Sequence, residues 1–265
     1  MHELIEMLIE KYYTCYPSLP KISCNFIITD CIRDSYLELC SILKRKLNNL
    51  RIDRLNDYNG LMVLPHSVGE PINILLNKKK MVEYTSDNSM TWLGTFAHEL
   101  THAIDYYEMA MKEKLTNYES LESNHYYMFN LWSEYHARKL GYNFLRQSLN
   151  VDNSIDEVSR IQHIKEVEWP KHVNDYWTVY HEKNDGNNQL YNTMQLLGRY
   201  SVWCDLFPKH FNESFLRIYY ANAPWMVKIF TFLRQNSTLD NVYFEFREMK
   251  LILSENWTGL ISFYD

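Results

Sequence analysis

Glycine is scarce in this chain, with seven residues in 265, where average usage of about 7% would supply more than twice as many. Turns that demand a left-handed backbone are correspondingly few, which counts against a meander of short strands and favours long helices. An excess of positive charge is also lacking. Lys and Arg number 27 against 33 Asp and Glu, a formal net charge of −6, so there is no basic field for a phosphate backbone and nucleic acid is not an expected partner. The mean hydropathy of −0.41 excludes a bundle of membrane helices, and no membrane partner is expected. Cysteine is present without pairing: Cys15, Cys24, Cys31, Cys40 and Cys204 are odd in number and show no CxxC spacing. They read as free thiols in a reducing compartment. Residues 1–15 carry Glu3, Glu6 and Glu10 where an export signal would be unbroken apolar sequence. They read instead as an amphipathic helix with Leu4, Ile5, Leu8 and Ile9 on one face, and the expected location is the cytoplasm.

What is abundant is apolar and aromatic. The chain is 46% hydrophobic and 15% aromatic, with 21 Tyr, enough to bury a core of one or two domains. Residues 21–29 read as a strand, the stretch after Asp30 as a helix capped by that residue and running to about Asn48, and 61–64 and 72–76 as a strand pair across a loop from Pro65 to Pro71. After Ser89 the apolar spacing turns helical, over roughly 90–112, 121–149, 154–168, 170–182, 187–205, 209–221, 223–235 and 240–254. Only 251–252 and 261–263 then carry a strand signal. The expected class is α+β: a small N-terminal sheet packed on two long central helices over 1–150, and a helical lobe over 151–265, with a soft boundary near 150.

The residues that carry chemistry lie in the first long helix. His98-Glu99-Leu100-Thr101-His102 is an HExxH motif. At 3.6 residues per turn, positions i and i+4 stand one above the other, so both imidazoles can reach one metal ion. Glu99 is rotated about 100° from His98, toward the place where a metal-bound water and a substrate carbonyl would meet, and can act there as general acid and base. Apolar residues at Leu93, Phe96, Ala97, Leu100, Ile104, Tyr107 and Met111 set the motif beside a core face.

Zinc needs a third protein ligand and an open fourth position. The next helix offers Glu134, with Ala137 and Gly141 at i+3 and i+7, small residues that let this helix approach closely. Glu134 is the expected third ligand. His136, about 200° round the helix from it, and His125, near the interhelix loop, are weaker candidates. Asp105 follows His102 by three residues on the same stripe and could accept the free ring N–H of a ligating His, as could any helix acid placed there. Gly94, one turn before His98, leaves room for a neighbouring strand or a substrate backbone.

HELTH followed about thirty residues later by this acid resembles the gluzincin metallopeptidases. The run Glu134-Tyr135-His136-Ala137 is similar to the E-x-x-A motif of the ImmA/IrrE-like peptidases, although Arg138, Lys139, Leu140 and Gly141 stand where that group has an Asn and a Phe-Ala pair. The resemblance covers about 60–145. It implies a zincin-like fold and a Zn2+ ion held by His98, His102 and Glu134. It also implies Glu99 as catalytic residue, a peptide or protein substrate, and an edge strand for that peptide, expected at Ile72–Leu76.

An oxyanion stabiliser from the second lobe is also expected, and Tyr176, Tyr180, His181, Tyr191 and Tyr200 all qualify, so none is assigned. Lys78-Lys79-Lys80 reads as a solvated run guarding the strand edge. His163, His172 and His181 recur every nine residues, which is no helical period. The aromatic residues after 165 read first as a helical core and second as an apolar substrate groove. Two rivals to the peptidase are a non-catalytic binding protein that retains the zincin fold and a metal-dependent hydrolase of a non-peptide bond. A closed structural site would need a fourth protein ligand, and no Cys lies between residues 98 and 134.

Overall fold

The computed structural model describes residues 2–43, 52–122, 126–150, 156–182, 186–221 and 223–256. It is an α+β protein, mainly helical with one three-stranded sheet. The chain divides into two compact units, Met1–Ser123 and Asn124–Asp265, a division that falls ahead of the helix carrying Glu134. All five cysteines are free. Among the described residues no helix is long and apolar enough to cross a membrane.

The first unit runs α1 (His2–Cys15), β1 (Cys24–Thr29), α2 (Ile32–Ile42), a 3-10 segment (Ile52–Asp57), β2 (Gly60–Val63), β3 (Ile72–Asn77), α3 (Lys78–Ser86) and α4 (Thr91–Lys112). The strand order is β1-β3-β2, with β1 parallel and β2 antiparallel to β3. Ile72–Asn77 is therefore the central strand, which overturns its expected place at the edge. All six of its residues are buried, as an unbroken apolar run predicts for a strand covered on both faces. The edge beside β3 on the antiparallel side is β2. Ile32, Tyr36 and Cys40 of α2 pack with Leu55 of the 3-10 segment and with Val63 and Leu75 on the sheet, and Phe26 of β1 stacks on Phe96 of α4 at 5.0 Å.

Three local expectations change. The lysine run guards no edge but opens α3, because the Asn77 side chain accepts from the backbone N–H groups of Lys79 and Lys80 and caps the helix. The start of α2 lacks the Asp30 cap; its N-cap is Cys31, with no side-chain cap bond, and the Asn56 side chain instead accepts from the N–H of Arg33. The stretch beyond residue 43 of that helix lies outside the described residues. On α1 the buried stripe is Ile5, Leu8 and Tyr12, while Leu4 is exposed. The backbone is left-handed at Asn88 (φ 58°) and Met90 (φ 49°) ahead of α4, and again at Lys114 (φ 55°) and Asn150 (φ 52°).

The second unit is helical: α5 (Tyr127–Leu149), α6 (Glu157–His163), a π-helical turn (Ile164–Glu168), α7 (Trp169–Glu182), α8 (Gly186–Leu206), α9 (Glu213–Tyr219), α10 (Pro224–Gln235), α11 (Leu239–Val242) and α12 (Phe246–Ser254). Pro170 does not break the chain into two helices, as its sequence position suggests. Its missing N–H and its ring against the carbonyl of Glu166 are accommodated by widening the preceding turn to π, so helical structure continues from Glu157 to Glu182. Residues 251–252 lie in α12, and 261–263 lie outside the described residues. Trp169, Tyr200, Trp203, Phe211 and Tyr220 are buried together, so the aromatic excess is first of all the core of this unit. At Gly198 an added Cβ would stand 2.7 Å from the Tyr135 carbonyl oxygen and 2.9 Å from the Arg138 Cβ, so α8 and α5 touch there backbone to backbone.

Candidate metal centre

The 22-residue helix α4 is anchored on both sides of its motif. Phe96, Ala97, Leu100, Ala103 and Ile104 are buried, which fixes the rotation of the helix and so the direction of the histidines. Thr101, the fourth residue of HELTH, donates to the Ala97 carbonyl. Its second hydrogen bond, 2.6 Å to the Tyr12 hydroxyl, therefore has Tyr12 as donor. This bond ties α1 to the motif.

His98 and His102 bring their Nε2 atoms to 3.1 Å, with the rings perpendicular at 87° and centroids 4.5 Å apart. Two nitrogens each about 2.0–2.1 Å from one tetrahedral ion lie about 3.3 Å apart, so this spacing is close to that of two ligands on a single metal. His98, His102 and Glu134 form a group that could hold a metal ion, one ligand atom of each lying within 4.8 Å of the others. His98 is 5% exposed and Glu134 1%. Two imidazoles with one carboxylate leave a further coordination position open.

Glu99 is half-buried and held by the sheet edge. Its Oε2 accepts from the backbone N–H of Met62 on β2 at 2.9 Å. The register of β2 explains why that N–H is available. Asn77 N–H donates to the Asn59 carbonyl, so Asn59, Leu61 and Val63 face β3 and the alternate residues Gly60 and Met62 turn their N–H and C=O outward. Gly60 is needed for the approach, since a Cβ there would stand 2.8 Å from Thr95 Cγ2 and 2.9 Å from Glu99 Cγ. Neither Gly60 nor Met62 carries a sequence signal for this role.

Asp105 is fully buried, and its charge reaches Tyr12, whose hydroxyl is pushed well above its ordinary pKa by burial first and by neighbours that include Asp105. His136 is buried and stacks on Trp132 at 5.0 Å. His125 and the side chains of Tyr180 and His181 lie outside the described residues. Of the remaining oxyanion candidates, Tyr176 and Tyr200 are core residues whose hydroxyls bond Thr193 and the Asn212 carbonyl, while Tyr191 is exposed. Arg138, one turn after Glu134 on α5, places Nη2 4.0 Å from Glu134 Oε1. The chain matches no protein-family profile, no curated protein and no solved structure.

Proposed function

We propose that the protein is a zinc-dependent metallopeptidase of gluzincin type, built on a zincin-like arrangement of sheet edge, HExxH helix and acid-bearing helix. The observation that carries this reading is the gathering of His98, His102 and Glu134 into one group able to hold a metal ion. The bond between Glu99 and the Met62 N–H supports it. His98, His102 and Glu134 would hold the zinc ion, which would supply Lewis-acid activation of water and of a peptide carbonyl.

The remaining steps belong to the chain. Neutral His98 and His102 present Nε2, and we assign Asp105, buried about one turn after His102, to orient that ring through its other N–H. Glu99 takes the proton of the attacking water and delivers it to the leaving nitrogen. The peptide is laid along β2, whose outward Gly60 groups and Met62 carbonyl are open to it, the Met62 N–H being engaged by Glu99. The Met62 carbonyl points the same way as its N–H and can accept from the departing amine.

Elemental analysis of the purified protein, combined with digestion of proteome-derived peptides, tests the reading. One zinc per chain is expected. Glu99→Gln keeps the metal and lowers hydrolysis by about 10²–10⁴-fold, whereas His98→Ala and Glu134→Ala lose the metal itself. Undiminished cleavage by Glu99→Gln, or a chain without metal at neutral pH, overturns it.

A further inference from the structure

Three helices of the second unit bring Arg138, Arg199 and His172 into one neighbourhood with Glu134. Arg138 lies 4.0 Å from Glu134 Oε1, with a quarter of its side chain exposed. Arg199 sits on α8 beside Gly198, the point at which α8 meets the α5 backbone. Its Nη1 is 3.1 Å from Nδ1 of His172 on α7. A guanidinium can only donate, so Nδ1 accepts and His172 carries its proton on Nε2. Burial, then the charges of Arg199, Lys171 and Arg138, hold the His172 pKa down to about 3. The imidazole is therefore neutral near pH 7, and it satisfies a hydrogen bond of Arg199 without neutralising its charge.

The charge balance of this corner differs from that around the other inward-facing cations of the unit. Lys139 and Arg234 both pair with Asp205, at 2.9 and 2.5 Å, and Arg146 and Arg160 both pair with Glu168, at 3.5 and 2.7 Å. Among the described residues no carboxylate stands at ion-pair distance from Arg199, and Arg138 has Glu134 alone. Burial and the field of Arg138 pull the Arg199 pKa down to about 10, against the smaller opposing influences of Tyr142, Asp175 and Glu134. When the Glu134 charge is committed to a metal ion, the two partly buried guanidinium groups keep no other carboxylate at ion-pair distance among the described residues. Like charges so placed are stabilised by an anion, and planar guanidinium forks match a carboxylate.

We propose that Arg138 and Arg199 form a carboxylate-binding subsite beside the metal group, so that preferred substrates carry a free carboxylate close to the bond that is cut. The subsite rests on the metallopeptidase reading for its role, but its ligand chemistry can be measured without turnover. Three random tetrapeptide libraries are passed over the immobilised full chain: one with free C-termini and no Asp or Glu, one with amidated C-termini and no Asp or Glu, and one amidated but containing both. Retention of the first above the second by about tenfold assigns a terminal carboxylate, and retention of the third above the second assigns a side-chain carboxylate. Arg138→Gln and Arg199→Gln reduce either preference to within about twofold, with metal content unchanged. Equal retention of all three libraries by the parent chain overturns the subsite, as does a preference that persists in both Gln variants. Cleavage without carboxylate preference leaves the metallopeptidase reading standing and removes this one; preference without cleavage does the reverse.

Discussion

The Met62 amide donates to the Glu99 carboxylate across 2.9 Å, so an edge strand and the acid of the HExxH helix are fixed to each other by a backbone group that only proline at position 62 would delete. The bond can be lengthened from Gly60. A methyl there meets Thr95 and Glu99 at under 3 Å and the Leu75 carbonyl oxygen at 3.3 Å, and a stiff helical threonine yields little. Gly60→Ala is expected to cost about 1–3 kcal/mol of stability and to depress kcat while the metal content stays at the parent level. Denaturant titration and elemental analysis of the same sample check this. A variant with parental stability and kcat would show that the approach is looser than the distances imply.

Tyr12→Phe removes the donor to Thr101 and keeps the ring in the core. The expected loss is about 1 kcal/mol, the usual net value of a buried hydrogen bond, seen as a lower midpoint in urea with an unchanged slope. A neutral result would mean that α1 is held on the motif by packing alone.

Gly198→Ala drives a methyl into the Tyr135 carbonyl and the Arg138 stem. Backbone cannot rotate away as a side-chain tip can, so α8 must move off α5 at a cost of about 1–3 kcal/mol. Calorimetric comparison of Tm with the parent measures it, and an unchanged Tm counts against the close contact.

Acid sensitivity follows from His172. Its ordinary pKa is 6.5 and the fold lowers it to about 3. Between these values the unfolded chain binds a proton that the folded chain refuses, so this residue's contribution is complete above pH 6.5 and is lost as pH falls toward 3. The slope it adds is at most about 1.4 kcal/mol per pH unit. Unfolding free energies of the parent and of His172→Asn, measured from pH 7 to 4, should therefore converge as the pH falls. Parallel curves would mean that His172 is charged in the folded state.

Much of the metal centre was legible because it is local. His98, Glu99 and His102 are placed by helix period alone, and Glu134 stands out as the one carboxylate of its helix, with small residues at i+3 and i+7, Ala137 and Gly141. Sheet order was not legible: β1 pairs with β3 across more than forty residues, and the hydrophobic run at 72–77, which looks the same at an edge or in the centre, occupies the centre. Helix α3 was hidden by its lysines, whose dipole penalty at a helix start is offset by the Asn77 cap. Arg138, Arg199 and His172 come from three helices, and no spacing along the chain announces that they meet. Only the Arg138 departure from the expected Asn marked the spot.

The left-handed corners have a bearing on which substitutions the chain can absorb. Asn88, Met90, Lys114 and Asn150 occupy torsions that most proteins give to glycine, while Gly60 and Gly198 lie where an added methyl would collide with neighbours. Mutational tolerance is thus inverted with respect to habit: the corners already hold side chains of three chemical kinds and would accept glycine readily, whereas the two packed glycines accept nothing larger. A substitution scan should find the chain's least replaceable positions among its smallest residues, at one strand edge and one helix crossing.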